Sequence, residues 1–431
     1  MSISTEEIST AEFNNNLASK RIASIDFVKG FAIVWIVLAH VGLSWFDRDW
    51  RYVYGLVFAF MDVLGPSLFV FLSALSVIFS VKRKKGTLSK KAIRNGILIR
   101  GFVIMILGVL FNPMSLYTSE VEEVTFPANL WGWNILMFIG FSQIISYYVL
   151  KFSKKVRAVL GVVIIYFSPW IREILYEGKV AGNLTLSFFH FIITSPLPQV
   201  PILPYLSVCF ISTIFGEYLY DAMIIGTKEA YYKLFRIFTF YGIALVLIGL
   251  FIIVPRGVNF EIWEIGLSRL KPALSEFGAP PHSSLGYIVE SEYLHIDLLR
   301  IANQQDYTPF NAMPIYMIRC TAQNMFYNLG VGFLLIAVCF YFIDIKNKSN
   351  DVIKLVIFYG KTSLSLFLIQ YLFLPLYGGQ FSIIFLPIVW VGYCGFLGLL
   401  MYIWTEYFDG VGTPEWIMGK LGSAGKKKKK S

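Results

Sequence analysis

The sequence predicts an all-α polytopic membrane protein with about ten transmembrane helices, cytoplasmic N and C termini and a large extracytoplasmic loop. Three observations lead there. The 431 residues are 56% hydrophobic and only 15% charged, against about 25% charge in a soluble domain. Mean hydropathy is +0.64, so most of the chain needs an apolar solvent. The apolar residues also gather into runs close to the ~20 residues that cross a bilayer as a helix.

Residues 1–20 are polar, lack the apolar stretch of a signal peptide and read as a disordered cytoplasmic N-terminus. One transmembrane domain, 21–420, follows. Its spans are expected at about 24–45, 53–81, 93–112, 130–150, 156–175, 201–220, 236–254, 324–344, 353–376 and 381–407. The second is long enough to tilt or kink, with Gly65-Pro66 in its middle. With the N-terminus inside, 25 Lys and Arg fall in cytoplasmic segments and 9 outside, which fixes the orientation. The outside loop 113–129 has no basic residue and carries Glu120, Glu122 and Glu123. Residues 256–323 far exceed an ordinary connection and read as an extracytoplasmic lid, with Gly278-Ala279-Pro280-Pro281 as a break between two short helical pieces. The basic tail 421–431, with Lys426–Lys430, reads as a solvated orientation signal or as a contact for anionic lipid, worth about 1 kcal/mol per Lys near the surface.

The net charge of +10 is thus chiefly an address for the inner face, and nucleic acid is not needed to explain it. Cys209, Cys320, Cys339 and Cys394 show no CxxC or CxxxH spacing, which argues against a disulfide framework and a cysteine-based zinc site. His295 with Asp297 and Glu292 completes no metal-ligand set. No metal is expected.

Ionisable groups inside a span are costly and therefore mark candidate sites. Asp26 and Lys29 lie one turn apart on the first span, and either seat the helix as an ion pair or serve a ligand. His40 lies about 21 Å further along that helix at 1.5 Å per residue, near the outer face. A neutral imidazole there is a suitable proton acceptor for a hydroxyl or amine. Asp62 on the second span could orient His40, bind an acceptor, or pair with Arg48 or Arg51. On the third span Arg94 and Arg100 join the basic loop Lys82–Lys91 to make an inner-face funnel suited to a polyanionic ligand. Positive-inside bias alone accounts for the loop lysines but not for the deep Arg100, whose fork geometry favours phosphate. Asn134, Gln143, Glu217, Lys361, Ser363, Ser365 and Gln370 are further polar candidates.

Arg21-Ile22-Ala23-Ser24-Ile25-Asp26-Phe27-Val28-Lys29-Gly30, running on to Ala39-His40, resembles the first span of the transmembrane acyltransferase superfamily. That superfamily includes the heparan-alpha-glucosaminide N-acetyltransferases and bacterial enzymes that modify surface polysaccharides. Lys29 stands where the family pattern usually has Arg. Asp62–Ser73 is similar to the second-helix pattern, Arg94–Gly101 to the third-helix arginine stretch, and Trp133–Gly140 to a following block. Pro201–Tyr205, Tyr359–Leu364 with Leu368-Ile369-Gln370, and Gly412–Trp416 resemble later blocks in the same order. The heparan enzymes carry their catalytic histidine just before the second helix. Here Arg51-Tyr52 occupies that neighbourhood, and only the first-helix His40 of other branches is matched.

The resemblance implies acyl transfer, with acetyl the expected group, from cytosolic acetyl-CoA or another acyl-CoA to a hydroxyl or amine of a glycan-type acceptor at the outer face. His40 would be the general base with Asp62 beside it, and Arg94, Arg100, Lys29 and Asn134 would serve the donor. The expected partners are acyl-CoA, a glycan or other small-molecule acceptor and membrane lipid, with a homodimer left open. The expected location is the plasma membrane. The rival reading is a transporter or lipid-handling protein that uses the same buried charges without acyl chemistry.

Overall fold

The computed structural model describes residues 22–46, 61–117, 130–194, 200–252, 316 and 320–423. No strand occurs among them; the only pairings of that kind are two isolated bridges, Phe46 with Phe381 and Lys85 with Leu88. The helices are α1 (Ala23–Trp45), α2 (Pro66–Lys84), α3 (Lys90–Tyr117), α4 (Ile135–Val149), α5 (Lys154–Val180), α6 (Leu184–Thr194) and α7 (Ile202–Ile225). They continue as α8 (Lys228–Phe251), α9 (Ala322–Phe340), α10 (Asp351–Lys361), α11 (Ser363–Phe373), α12 (Leu386–Tyr407) and α13 (Pro414–Ser423). Residues 1–20, Arg48, Arg51, the stretch 256–315 of the large loop and Lys426–Lys430 lie outside the described residues.

Many boundaries follow from local chemistry. Asn134, Ser153, Thr227, Thr321 and Asn350 each accept a backbone N–H from the first turn of the helix they precede, at 2.8–3.3 Å, satisfying donors that have no partner within the helix. Gly226 ends α7 in a left-handed conformation at φ 67°. Among the described residues, Gly65-Pro66 starts α2. A 3-10 turn, Asp62–Leu64, precedes it, and Pro66 takes the first helical position, where a missing N–H costs nothing.

Eight helices among the described residues are long and apolar enough to cross a membrane. α10 and α11 meet at 82° across Thr362 and, counted as one broken span, would make a ninth. The expected span at 130–150 is represented by α4 alone. Because Asn134 caps it, α4 has 15 residues, about 22 Å of helix, short of a hydrocarbon core of about 30 Å.

The bundle is apolar on both its inside and its outside, as a lipid-embedded protein must be. On α3, Ile99, Phe102, Ile106 and Leu110 form an exposed stripe at helical spacing, while Ile104 and Phe111 face inward at 1% and 4% exposure. The central helices are α2, α7 and α9, about two-thirds buried (67%, 67% and 61%), whereas α8 and α12 are 22% buried and lie at the periphery.

Two crossings position the site. Gly30 of α1 and Gly360 of α10 meet so closely that a Cβ on either would lie within 1.8 Å of a backbone oxygen of the other helix. Gly101 of α3 and Gly140 of α4 make a similar reciprocal contact. Without a hydrophobic drive between helices in lipid, such small residues let backbones pack tightly. The first crossing brings Asp26 and Lys29 beside Lys361, and the second sets Arg100 against α4.

Candidate active site

A cavity of about 550 Å³ lies among α1, α2, α3, α4, α10, α11 and α13. Its charged lining residues are Asp26, Lys29, Arg83, Lys84, Arg100, Lys361 and Glu415. Ser73, Ser76 and Ser80 line it from one face of α2, and Gln143 of α4 donates to the Ser73 hydroxyl at 3.2 Å. Its apolar wall includes Phe69, Leu72, Ile104, Leu136, Ile139 and Phe367. The Arg100 side chain enters from the inward face of α3, and its buried Nε has no hydrogen-bond partner.

The break at Thr362 is held from a distance. Glu415 of α13 accepts the backbone N–H groups of Leu364 and Ser365 at 2.9 and 3.0 Å, and also the Ser365 hydroxyl. It thereby supplies the first turn of α11 with the partners that a local cap usually provides. Because α11 starts anew here, it turns Ser363, Leu364 and Phe367 toward the cavity.

Phe367 links the cavity to His40. Its ring packs edge-on against the His40 imidazole at 6.1 Å between centroids. Phe111 and Tyr371 complete the cluster: Phe111 lies 5.6 Å from Phe367 and 4.6 Å from Tyr371, and Tyr371 lies 4.9 Å from His40. Of these four rings only Phe367 lines the cavity. Phe111 and Phe367 are buried, whereas His40 and Tyr371 keep partial exposure.

The imidazole is polar-bonded on one side. Its Nε2 lies 3.2 Å from the Tyr371 hydroxyl. Gln370 sits next to the ring, yet neither His40 Nδ1 nor Gln370 Oε1 closes a hydrogen bond of normal geometry. The backbone here is fixed by α12, where the Tyr393 hydroxyl donates to the Gln370 carbonyl at 2.7 Å. Further along, Trp45 Nε1 donates to the Leu374 carbonyl at 2.7 Å, tying the end of α1 to the end of α11.

The structure brings together some of the sequence candidates and separates others. Lys29 and Arg100 share the cavity, and His40 stands one ring beyond it. Asp62 is buried on the turn before α2 and accepts from Asn328 Nδ2 of α9 at 3.0 Å, while the hydrogen-bonding partner of His40 is Tyr371. Arg94 is exposed, with its Nε on the Asn95 side chain at 3.3 Å, and does not line the cavity. Asn134 caps α4 and donates to the Gly108 carbonyl and the Asn112 side chain, both at 2.7 Å, so its amide is committed to joining α3 and α4. Tyr371 and Phe367 were not among the sequence candidates. The available signal was their i, i+4 spacing on the face of α11 that also carries Ser363.

The family model described as heparan-alpha-glucosaminide N-acetyltransferase, catalytic, matches residues 21–254, more than half of the chain. The chain belongs to that family. No curated protein matches it. The part matched to the heparan-alpha-glucosaminide N-acetyltransferase family supplies Asp26, Lys29, His40, Arg83, Arg100 and Phe111. The chain beyond the match supplies Lys361, Phe367, Gln370, Tyr371 and Glu415. The site is therefore assembled from both parts, joined at the Gly30–Gly360 crossing. Its apolar helices and its family together make this an integral membrane protein of an N-acetyltransferase family.

Proposed function

We propose that the protein moves an acyl group, acetyl in the first instance, from acyl-CoA entering at the basic end of the bundle to a hydroxyl or amine of a sugar acceptor at the opposite face. The observation that carries this reading is the cavity that begins among Lys29, Arg83, Lys84 and Lys361 and ends at Phe367 against His40. From Lys29 to His40 is eleven residues of α1, about 16 Å, a separation suited to a donor with phosphates at one end and a thioester at the other. Guanidinium and ammonium groups bind the phosphates, with Arg100 as the deepest cation, and the serine face of α2 suits the amide-rich arm of the donor.

At the far end His40 acts as general base. It takes the proton of the acceptor hydroxyl or amine as that atom attacks the thioester carbonyl. The new C–O or C–N bond forms, the C–S bond breaks, and the proton passes on to the departing thiolate. Tyr371 holds the imidazole in place. The family name points to the amine of a terminal glucosamine as the first acceptor to try, and the basic loops favour a plasma-membrane protein with its basic end in the cytoplasm.

Purified protein in nanodiscs, given labelled acetyl-CoA and a glucosamine-terminated oligosaccharide, should move label to the sugar, and Arg100→Ala should raise the KM for donor. The 82° break in the α10–α11 span is the feature that favours the transport reading, since broken helices often build transport sites. Wild-type protein that consumes no acetyl-CoA but carries solute into vesicles would decide for transport.

A further inference from the structure

Phe367 is buried at 6% exposure and stands between the cavity and His40. The cavity that Phe367 lines also has a buried apolar wall: Leu72, Ile104 and Leu136 are each 1% exposed and come from three different helices. Behind it lie His40, whose Nδ1 is buried, and Tyr371. A thioester carbonyl in this cavity therefore meets the Phe367 ring before it meets the imidazole. A buried phenylalanine at the start of a helix whose first turn is capped from another element has a fixed backbone, so what can move is its side chain, by rotation about χ1 and χ2.

We propose that Phe367 is the partition through which the acyl group reaches His40, and that the chamber formed by Phe367 with Leu72, Ile104 and Leu136 sets the length of the acyl chain accepted. This rests on the acyl-transfer reading above. It goes further by assigning acyl selectivity to four residues, none of them charged or hydrogen-bonding. A short acyl group fits in front of the ring and passes when the ring swings. A longer chain fills the chamber and holds the ring shut. Close-packed interiors respond to single methylene changes, so chain length is a variable that such a wall can read.

The test is a series of acetyl-, butyryl-, hexanoyl- and octanoyl-CoA donors with wild-type protein, Phe367→Ala, Phe367→Leu and Ile104→Trp in nanodiscs, scored as kcat/KM for each donor relative to acetyl. Removing the ring should raise the hexanoyl-to-acetyl ratio at least tenfold, with Phe367→Leu intermediate. Ile104→Trp, which shrinks the chamber from α3, should lower the butyryl-to-acetyl ratio. If wild-type protein transfers acetyl and the ratios do not change in any of the variants, the partition is overturned while acyl transfer stands. If wild-type protein uses no donor in the series, acyl transfer itself fails and the partition falls with it. Should Phe367→Ala not fold, Phe367→Leu and Ile104→Trp still probe the chamber from opposite directions, one enlarging it and the other shrinking it.

Discussion

The hydroxyl of Tyr371 lies 3.2 Å from Nε2 of His40, joining two residues 331 positions apart in the chain. α1 crosses α10 at Gly30–Gly360 and packs further along against α11, and the pair lies where the polar cavity gives way to a ring cluster. With Nε2 facing the tyrosine and Gln370 next to the ring, the imidazole has a defined orientation.

Tyr371→Phe removes this hydroxyl and keeps the ring contacts with Phe111 and Phe367. A net hydrogen bond contributes about 1 kcal/mol, so kcat should fall roughly fivefold. The KM for acyl-CoA should hold, because the cavity that lodges the donor is untouched. Steady-state kinetics with the donor varied separates the two; a rise in KM at constant kcat would make Tyr371 a donor-binding group instead.

The Gly30–Gly360 crossing leaves no room for a methyl group. A Cβ on Gly30 would lie 1.8 Å from the Val356 carbonyl oxygen, and one on Gly360 would lie 1.7 Å from that of Asp26. Overpacking costs typically about 1–3 kcal/mol and occasionally more, so Gly30→Ala and Gly360→Ala should each lower the unfolding temperature clearly in detergent. Gly96→Ala on α3 is the control: a Cβ there meets nothing within 4 Å, and alanine favours a helix by up to about 1 kcal/mol over glycine. Its melting temperature should stay level or rise.

Glu415→Ala strips three acceptor contacts from the start of α11. Loss of a cap costs about 0.5–2 kcal/mol, and bonds to a charged acceptor lie toward the upper end. Hydrogen exchange at Leu364 and Ser365 should speed up in this variant, and less so in Glu415→Gln, which keeps one acceptor oxygen. Equal protection in all three proteins would show that something else holds the first turn.

Much of this architecture is legible in the sequence, because lipid solvation writes itself into composition: each of the ten apolar runs contributes a helix. What stays hidden is non-local. The run 353–376 reads as one span, yet it breaks at Thr362, because the amides of Leu364 and Ser365 find their acceptor on Glu415, some fifty residues away. Asn134 looks like a site residue because a polar amide in an apolar run needs a reason. The reason proves to be the start of α4 and a carbonyl of α3. Arg94 and Arg100 look equivalent by residue type, but six residues turn a helix through 600° at 3.6 residues per turn, leaving one on the exposed face and the other in the cavity. Phe367 and Tyr371 carry no charge and read as ordinary lipid-span aromatics until α1 is laid against them.

The central claim is that His40 takes the acceptor proton, and a single-turnover experiment tests it most directly. His40→Ala and wild-type protein are loaded with labelled acetyl-CoA to equal occupancy, mixed with an amino-sugar acceptor, and followed by quenched flow for label on the sugar. General-base catalysis typically contributes about 10²–10⁴-fold, so the variant should bind donor as wild type does and transfer it at least a hundredfold more slowly. Transfer by His40→Ala at the wild-type rate would contradict the account.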